Sequence, residues 1–191
     1  VEIEYAKRST NYLGVKHKVI DASFLGEISQ GFSANVDKSI QVPTIYEVLG
    51  DPAPKTEVPF RNMILFSIAA SYAQVNNLDT IICGLQVHDC YGYWDTTESF
   101  INKMNKVFSE NRKIQISLIA PFVDISKKDE LLILNTLDGN IDLSSKSFTC
   151  YDPNANGVAC GKCGACAERI QNFITAGFID PIPYQIKIKL K

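Results

Sequence analysis

The chain has 191 residues, with 19 lysines and arginines against 21 aspartates and glutamates, for a formal net charge of −2. That length suits one substantial core, and the near balance of charge gives no reason to expect direct nucleic-acid binding. No apolar run approaches a membrane span; the longest, Met63 to Ala70, already contains Ser67.

Taken in chain order, residues 2–13 place Ile3, Ala6, Thr10 and Leu13 on one face and predict a helix that stops at Gly14. Val15 to Asp21 reads as a short strand. Residues 31–57 carry Pro43, Pro52 and Pro54 with Gly31 and Gly50, an irregular stretch of a length usually functional or disordered. Asn62 to Gln74 is apolar nearly all round, which predicts a buried helix. The β-branched run Thr80 to Cys83 predicts a central strand, with Cys83 buried in it. Residues 96–109 fit an amphipathic helix with Phe100, Ile101, Met104 and Val107 inward. Ile114 to Ile119 is a further strand. Ser126 then caps a helix to about Leu137, with Asp129 three residues on. The final stretch, Ile186 to Lys191, alternates apolar residues with lysines, as a protected edge strand does. Strands alternating with helices give an α/β fold with a parallel sheet flanked by helices, Rossmann-like in type.

Cys150, Cys160, Cys163 and Cys166 are spaced C-x9-C-x2-C-x2-C. Two-residue gaps let neighbouring thiolates converge from one tight turn, and a looser fourth ligand completes the tetrahedron that Zn²⁺ requires. Gly161 and Gly164 are expected to supply the unusual backbone angles of such a knuckle. A disulfide framework belongs to short secreted chains, whereas this one is 46% hydrophobic and shows no signal-peptide pattern. With four sulfurs the site is closed and structural, and thiols kept as metal ligands point to the cytoplasm. The expected organisation is an α/β ligand-binding domain over 1–145 and a zinc-binding segment over 146–191.

Open α/β sheets bind ligands beyond the carboxyl ends of their strands. That rule selects Gly84 to Asp95, Ala120 to Asp124, and Val58-Pro59-Phe60-Arg61-Asn62 at a helix start. Aromatic residues with two carboxylates, Asp89 and Asp95, suit a planar, nitrogen-rich ligand: rings stack on its faces and carboxylates accept from its N–H groups. Arg61 and Lys127, near helix N-termini, suit phosphate. Plainer roles stand beside these. Tyr91, Tyr93 and Trp94 as core, Asp95 as the N-cap of the 96–109 helix, His88 as a structural residue, and Arg61 and Lys127 as solvated helix residues fit the same letters.

Together these segments resemble the 7-cyano-7-deazaguanine synthase family. The resemblance runs in order through Leu13-Gly14-Val15-Lys16-His17-Lys18-Val19-Ile20-Asp21, Val58-Pro59-Phe60-Arg61-Asn62, Asp89 to Asp95 and Ser126-Lys127. It ends in Thr149-Cys150-Tyr151 and Cys160 to Arg169. The resemblance implies a nucleotide-binding fold of the pyrophosphate-loop type and an ATP-dependent ligase. Its 7-carboxy-7-deazaguanine would be adenylylated, ammonia would give the amide, and a second adenylylation would allow dehydration to the nitrile, a queuosine and archaeosine precursor. By resemblance Arg61 and Asn62 lie on the nucleotide side, and Lys127 offsets phosphate charge as a catalytic residue. Asp89, Tyr93 and Asp95 line the deazaguanine pocket, Cys150, Cys160, Cys163 and Cys166 hold zinc, Mg²⁺ accompanies ATP, and the protein is a homodimer.

The chain departs from the family pattern in two places. Phe60 stands where the family usually has glycine and Trp94 where it usually has proline, with Thr96-Thr97 in place of Cys-Arg after Asp95. The family's Ser-Gly-Gly-x-Asp-Ser loop, whose backbone N–H groups wrap pyrophosphate, is absent from the sequence given, which is expected to be an N-terminally truncated stretch of a longer protein. Two relatives in function stay open beside the synthase: a module that binds a deazapurine without ATP chemistry, and an enzyme that couples the deazapurine to another amine.

Overall fold

In a computed structural model the described residues are 1–44, 47, 54–87, 89, 92–138 and 141–188. His88, Cys90, Tyr91, Gly50, Pro52 and the last three residues of the lysine-alternating tail lie outside them. The chain divides into two compact units, Gly50–Ser126 and a second made of Val1–Leu49 with Lys127–Lys191.

The middle unit is built on one strand–helix–strand crossover, preceded by α3 (Arg61–Val75). Strand β1 (Thr80–Ile82) leads through α4 (Glu98–Ser109) to β2 (Ser117–Ile119), and the strands pair in parallel with Ile81 opposite Leu118. The α/β reading with a parallel sheet holds. Phe66 and Ala73 of α3, Phe100, Ile101, Met104 and Phe108 of α4, and Ile116 and Leu118 form its core. Phe108 takes the inward place expected of Val107, which is exposed. The face of α4 is thus one residue off the predicted stripe, because an aromatic ring removes more apolar area from water than valine does. Only one side of α3 is covered. Met63, Leu65 and Tyr72 are exposed, so apolar composition on every side does not bury this helix among the described residues.

Strand β1 is not central among the described residues. It has β2 as its one neighbour, and Ile82 is 70% exposed. β-branching marks a pleated segment but says nothing of how many of its edges are paired. Cys83 is half-buried, and its thiol donates to the Ile119 carbonyl. Asn105 of α4 completes β2 from the other side. Its Nδ2 donates to the Leu118 carbonyl at 2.8 Å, and its Oδ1 accepts from the Leu118 N–H at 2.7 Å.

The other unit begins with α1 (Glu2–Leu13), closed by Gly14 in left-handed backbone as expected. Its contact face differs from the prediction. Ile3 and Leu13 are exposed, while Tyr5 stacks on Phe148 at 4.9 Å, Ser9 donates to the Lys146 carbonyl, and Lys146 sits over the Tyr12 ring. A stripe of Tyr, Ser and Tyr is invisible to a search for aliphatic periodicity. Residues 15–21 are exposed and form no strand. A short helix α2 (Phe24–Ile28) follows, then irregular chain. Helix α5 (Lys127–Asp138) starts directly after Ser126, as predicted, and a 3-10 segment (Ile141–Lys146) leads to the cysteine region and α6 (Gly164–Ala176).

Arg169 of α6 fixes the chain after that helix. Its Nε and Nη2 grip both oxygens of Asp180 at 2.7 and 2.9 Å, Nη1 donates to Ser147 Oγ and Nη2 to the Ser144 carbonyl. Tyr184 donates to the same carboxylate at 2.6 Å; burial first, then this bond, pushes the phenol up from its ordinary value. Both charges of the pair are buried, so losing either one would leave the other uncompensated. The chain is bridged to Ala159 at Tyr184, and the described residues of the lysine-alternating tail, 186–188, form no strand.

Replacing Asn105 with leucine leaves the buried Leu118 N–H and carbonyl without partners. The variant is expected to lose about 1–3 kcal/mol in urea unfolding, and an unchanged midpoint would show that Leu118 has other partners.

Candidate functional site

The four cysteines come together. All are buried, and their sulfurs lie within 4.8 Å of one another. None is in a disulfide. Cys160 and Cys166 are 3.9 Å apart, close to the roughly 3.8 Å between sulfurs around a tetrahedral ion with 2.3 Å bonds. The local backbone supports thiolates. Cys150 Sγ accepts from the N–H groups of Asp152 and Cys160 at 3.3 and 3.2 Å, and Cys160 Sγ from those of Lys162 and Cys163 at 3.4 and 3.3 Å.

Gly161 supplies the positive φ of 78° in the knuckle, and a Cβ there would stand 2.6 Å from Ile186 Cγ1. Gly164, expected to do the same, is instead the first residue of α6. An isolated antiparallel bridge joins Thr44 to Cys163.

The thiols divide their protons unequally. The hydrogen bond from Cys166 brings Cys163 down to about 5. That same bond, followed by burial, raises Cys166, and burial pushes Cys150 up to about 11. Four buried sulfurs at this spacing, partly deprotonated and fed by amide donors, fit a structural metal ion. A tetrahedral cation would take the place of the protons on these sulfurs.

In the middle unit, Asp95 and Asn62 are joined by a reciprocal clip. Asp95 Oδ2 accepts from the Asn62 backbone N–H, and Asn62 Nδ2 donates to the Asp95 carbonyl, each at 3.1 Å. Both residues are buried. The cap of α4 is Thr97, whose hydroxyl accepts from the Phe100 N–H. Asp95 therefore serves the start of α3, not the helix that follows it in sequence. Arg61 is the first residue of α3 and half-buried.

The loop after β1 is organised by its own backbone. Asp89 accepts from the N–H and side-chain amide of Gln86, and its carbonyl accepts from the N–H groups of Gly92 and Tyr93. Tyr93 shares a 2.7 Å hydrogen bond with buried Thr56. Thr56 was given no role by its sequence, since a lone threonine in a proline-rich stretch carries no signal. The two departures from the family pattern touch: Phe60 and Trp94 pack edge to face at 5.3 Å. The position usually held by glycine has φ 55°, where a side chain costs about 1–2 kcal/mol.

Lys127 is the first residue of α5, and its Nζ is 2.9 Å from Glu168 Oε2 on α6, with both side chains about three-quarters buried. Glu168 stands in the Cys166-Ala167-Glu168-Arg169 run, where the spacing of the cysteines gives it no role of its own. The structure thus groups Asn62 with Asp95 and Arg61 at one helix start, Asp89 and Tyr93 in the loop leading to them, and Lys127 with Glu168 in the other unit.

Because the two halves of the clip hold the same pair of segments, breaking one should weaken the other. Asn62→Ala and Asp95→Ala are each expected to cost about 1–2 kcal/mol, and the double variant less than their sum by about 0.5–1 kcal/mol. Urea unfolding of the four proteins checks this, and additive losses would show two independent contacts.

The model of the family described as queuosine biosynthesis protein QueC matches residues 1–177. The 7-cyano-7-deazaguanine synthase of Oceanobacillus iheyensis is 37% identical over 186 residues, 96% of this chain and 80% of the relative. That of Methanospirillum hungatei is 36% identical over 187 residues, covering 96% and 81%, and that of Psychromonas ingrahamii 35% over 184, covering 96% and 80%. No helix among the described residues is long and apolar enough to cross a membrane. The chain belongs to the QueC family of queuosine biosynthesis proteins.

Proposed function

We propose that the protein converts 7-carboxy-7-deazaguanine and ammonia to 7-cyano-7-deazaguanine at the expense of ATP. The observation that carries this reading is the extent of the family match, which takes in both the loop after β1 and the cysteine knuckle. A carboxylate oxygen leaves poorly until it is joined to phosphate. Adenylylation of the 7-carboxylate lets ammonia displace AMP, and a second adenylylation, on the amide oxygen, lets that oxygen depart as AMP to leave the nitrile. The protein's part is to position reactants and stabilise developing charge.

Asp89 and Tyr93 face the deazaguanine from a loop that hydrogen-bonds to itself, and Asp95 reads its N–H edge from a buried position. Arg61 meets the nucleotide, and Asn62 fixes it there by tying the start of α3 to Asp95. Lys127 offsets phosphate charge. A lysine held by one carboxylate can exchange that partner for a phosphate oxygen while staying charged, which supports the role. Mg²⁺ accompanies ATP, as the charge of a triphosphate requires. The ion at the four cysteines is Zn²⁺, since four thiolates in a closed tetrahedron suit it best. The working state is a cytoplasmic homodimer.

Incubation of the whole protein with ATP, ammonia and 7-carboxy-7-deazaguanine, read by mass spectrometry, is expected to give the nitrile with about two AMP released per product, one for each adenylylation. Binding without AMP release would favour the module without ATP chemistry, and an adenylate that ammonia cannot discharge would favour coupling to another amine.

Zinc binding to metal-free protein at pH 7 should release at least two protons per ion, from the raised thiols of Cys150 and Cys166. Calorimetry in buffers of different ionisation enthalpy measures the number. As pH falls, protons compete more strongly, so retention is lost toward and below about 5, where Cys163 also protonates. Cys163→Ser is expected to lose the metal and unfold the 150–170 region; a folded, active, metal-free variant would sink the structural assignment.

A further inference from the structure

Phe60 occupies left-handed backbone, φ 55° and ψ 19°, immediately before α3. Glycine adopts that conformation freely and a residue with a Cβ does not. Nor is the ring placed there to fill the core, since Phe60 is 53% exposed. It meets Trp94 edge to face, with centroids 5.3 Å apart and planes at 73°. Trp94 is 48% exposed and meets buried Phe100 at 5.4 Å and 86°. The pair is anchored inward through Phe100 and bare outward. It adjoins the clip on both strands of chain, because Asn62 is two residues beyond Phe60 and Asp95 follows Trp94. A strained backbone that leaves half of a large ring exposed gains little for the fold beyond its contact with Trp94, and strained positions of this sort gather at ligand sites.

We infer that Phe60 and Trp94 form an aromatic wall against which the fused planar ring of the ligand stacks, setting specificity for a bicyclic heteroaromatic. The inference rests on the deazapurine reading of this site and deepens it. The chemistry of the neighbours selects the occupant. Carboxylates in the same loop, Asp89 and Asp95, accept N–H groups at the edge of a ring whose face the wall covers, whereas an aliphatic chain would use neither the carboxylates nor the ring faces. A large protein partner would need far more apolar surface than two side chains offer.

Trp94 is the only tryptophan in the chain, so its emission reports on the wall directly. The whole protein is titrated with 7-carboxy-7-deazaguanine by fluorescence and, in parallel, by calorimetry. A saturable change in emission is expected, with the calorimetric Kd. Phe60→Gly should melt at the same or a higher temperature yet bind the deazapurine about tenfold more weakly, with the Kd for ATP changed less than about twofold, the size of an interaction not made. Phe60→Leu, which keeps a Cβ on the strained backbone but lacks a ring, should weaken binding to a similar extent. Calorimetric binding by the unaltered protein without any change in emission would overturn the wall, and so would a Phe60→Gly variant with unaltered Kd. Absence of calorimetric binding by the unaltered protein would overturn the deazapurine reading itself, and the wall with it.

Discussion

Four buried sulfurs within 4.8 Å of one another are the constraint on which the terminal unit depends. Cys150, Cys160, Cys163 and Cys166 are not accessories to an apolar core; with Ala159 and Ile182 they are the buried core of the region. Thiols at this spacing must share protons or share a cation, because several adjacent thiolates without either would repel one another in a medium of low dielectric. The hydrogen bond between Cys163 and Cys166 lowers the one and raises the other, as a shared proton would. Everything docked on the knuckle inherits that dependence. Gly161 lets Ile186 approach, Tyr184 and Gln185 bridge to Ala159, and Arg169 on α6 gathers Ser144, Ser147 and Asp180. An ion at the centre would therefore order several segments that are distant in sequence, and folding of the region and metal binding would be one event.

The middle unit solves a different problem, how to hold polar side chains beyond the end of a very short sheet. Three-residue strands cannot do so by themselves. The positions are set by bonds between side chains and backbone: Asp89 with Gln86, Asp95 with the first turn of α3, Thr97 with the first turn of α4. Each bond satisfies a helix-end or loop N–H that would otherwise need water, so the same contacts that stabilise the ends also fix the loop after β1. Side chains held in this way are preorganised at little further entropic cost on binding.

The cysteine cluster was fully legible, since ligand type and spacing carry the chemistry. Helices α1, α3, α4 and α5 were legible as elements, and their faces less so, while α2 and α6 were not marked as elements by the sequence. Helix α1 docks through Tyr5, Ser9 and Tyr12, a stripe that aliphatic periodicity cannot see, and α4 turns Phe108 inward in place of Val107. The strand expected over Val15 to Asp21 failed because alternation of side chains describes a strand only where a partner supplies the ladder. The plainer reading of Asp95, as the cap of the helix that follows it, rested on proximity in sequence. A residue just before a helix is the natural cap for it, but the bond it makes is with a helix more than thirty positions earlier. Phe60 carried a clue in the family resemblance, and only the backbone angle explained why glycine is usual there.

Asn105 gives the sheet a direction of growth. Its amide presents to Leu118 one donor and one acceptor, as a neighbouring strand would, and so takes the place a strand would hold there among the described residues. The outer margin of β2 is thereby closed at its midpoint to any further chain, whether from the same molecule or another. Extension of the ladder is left to the side of β1 that no described strand pairs with. A third strand would have to lie next to Thr80–Ile82, the segment that feeds the Asp89 loop, and its arrival would be felt there first. The amide of one helix residue thus decides which flank of the sheet is sealed and which stays receptive.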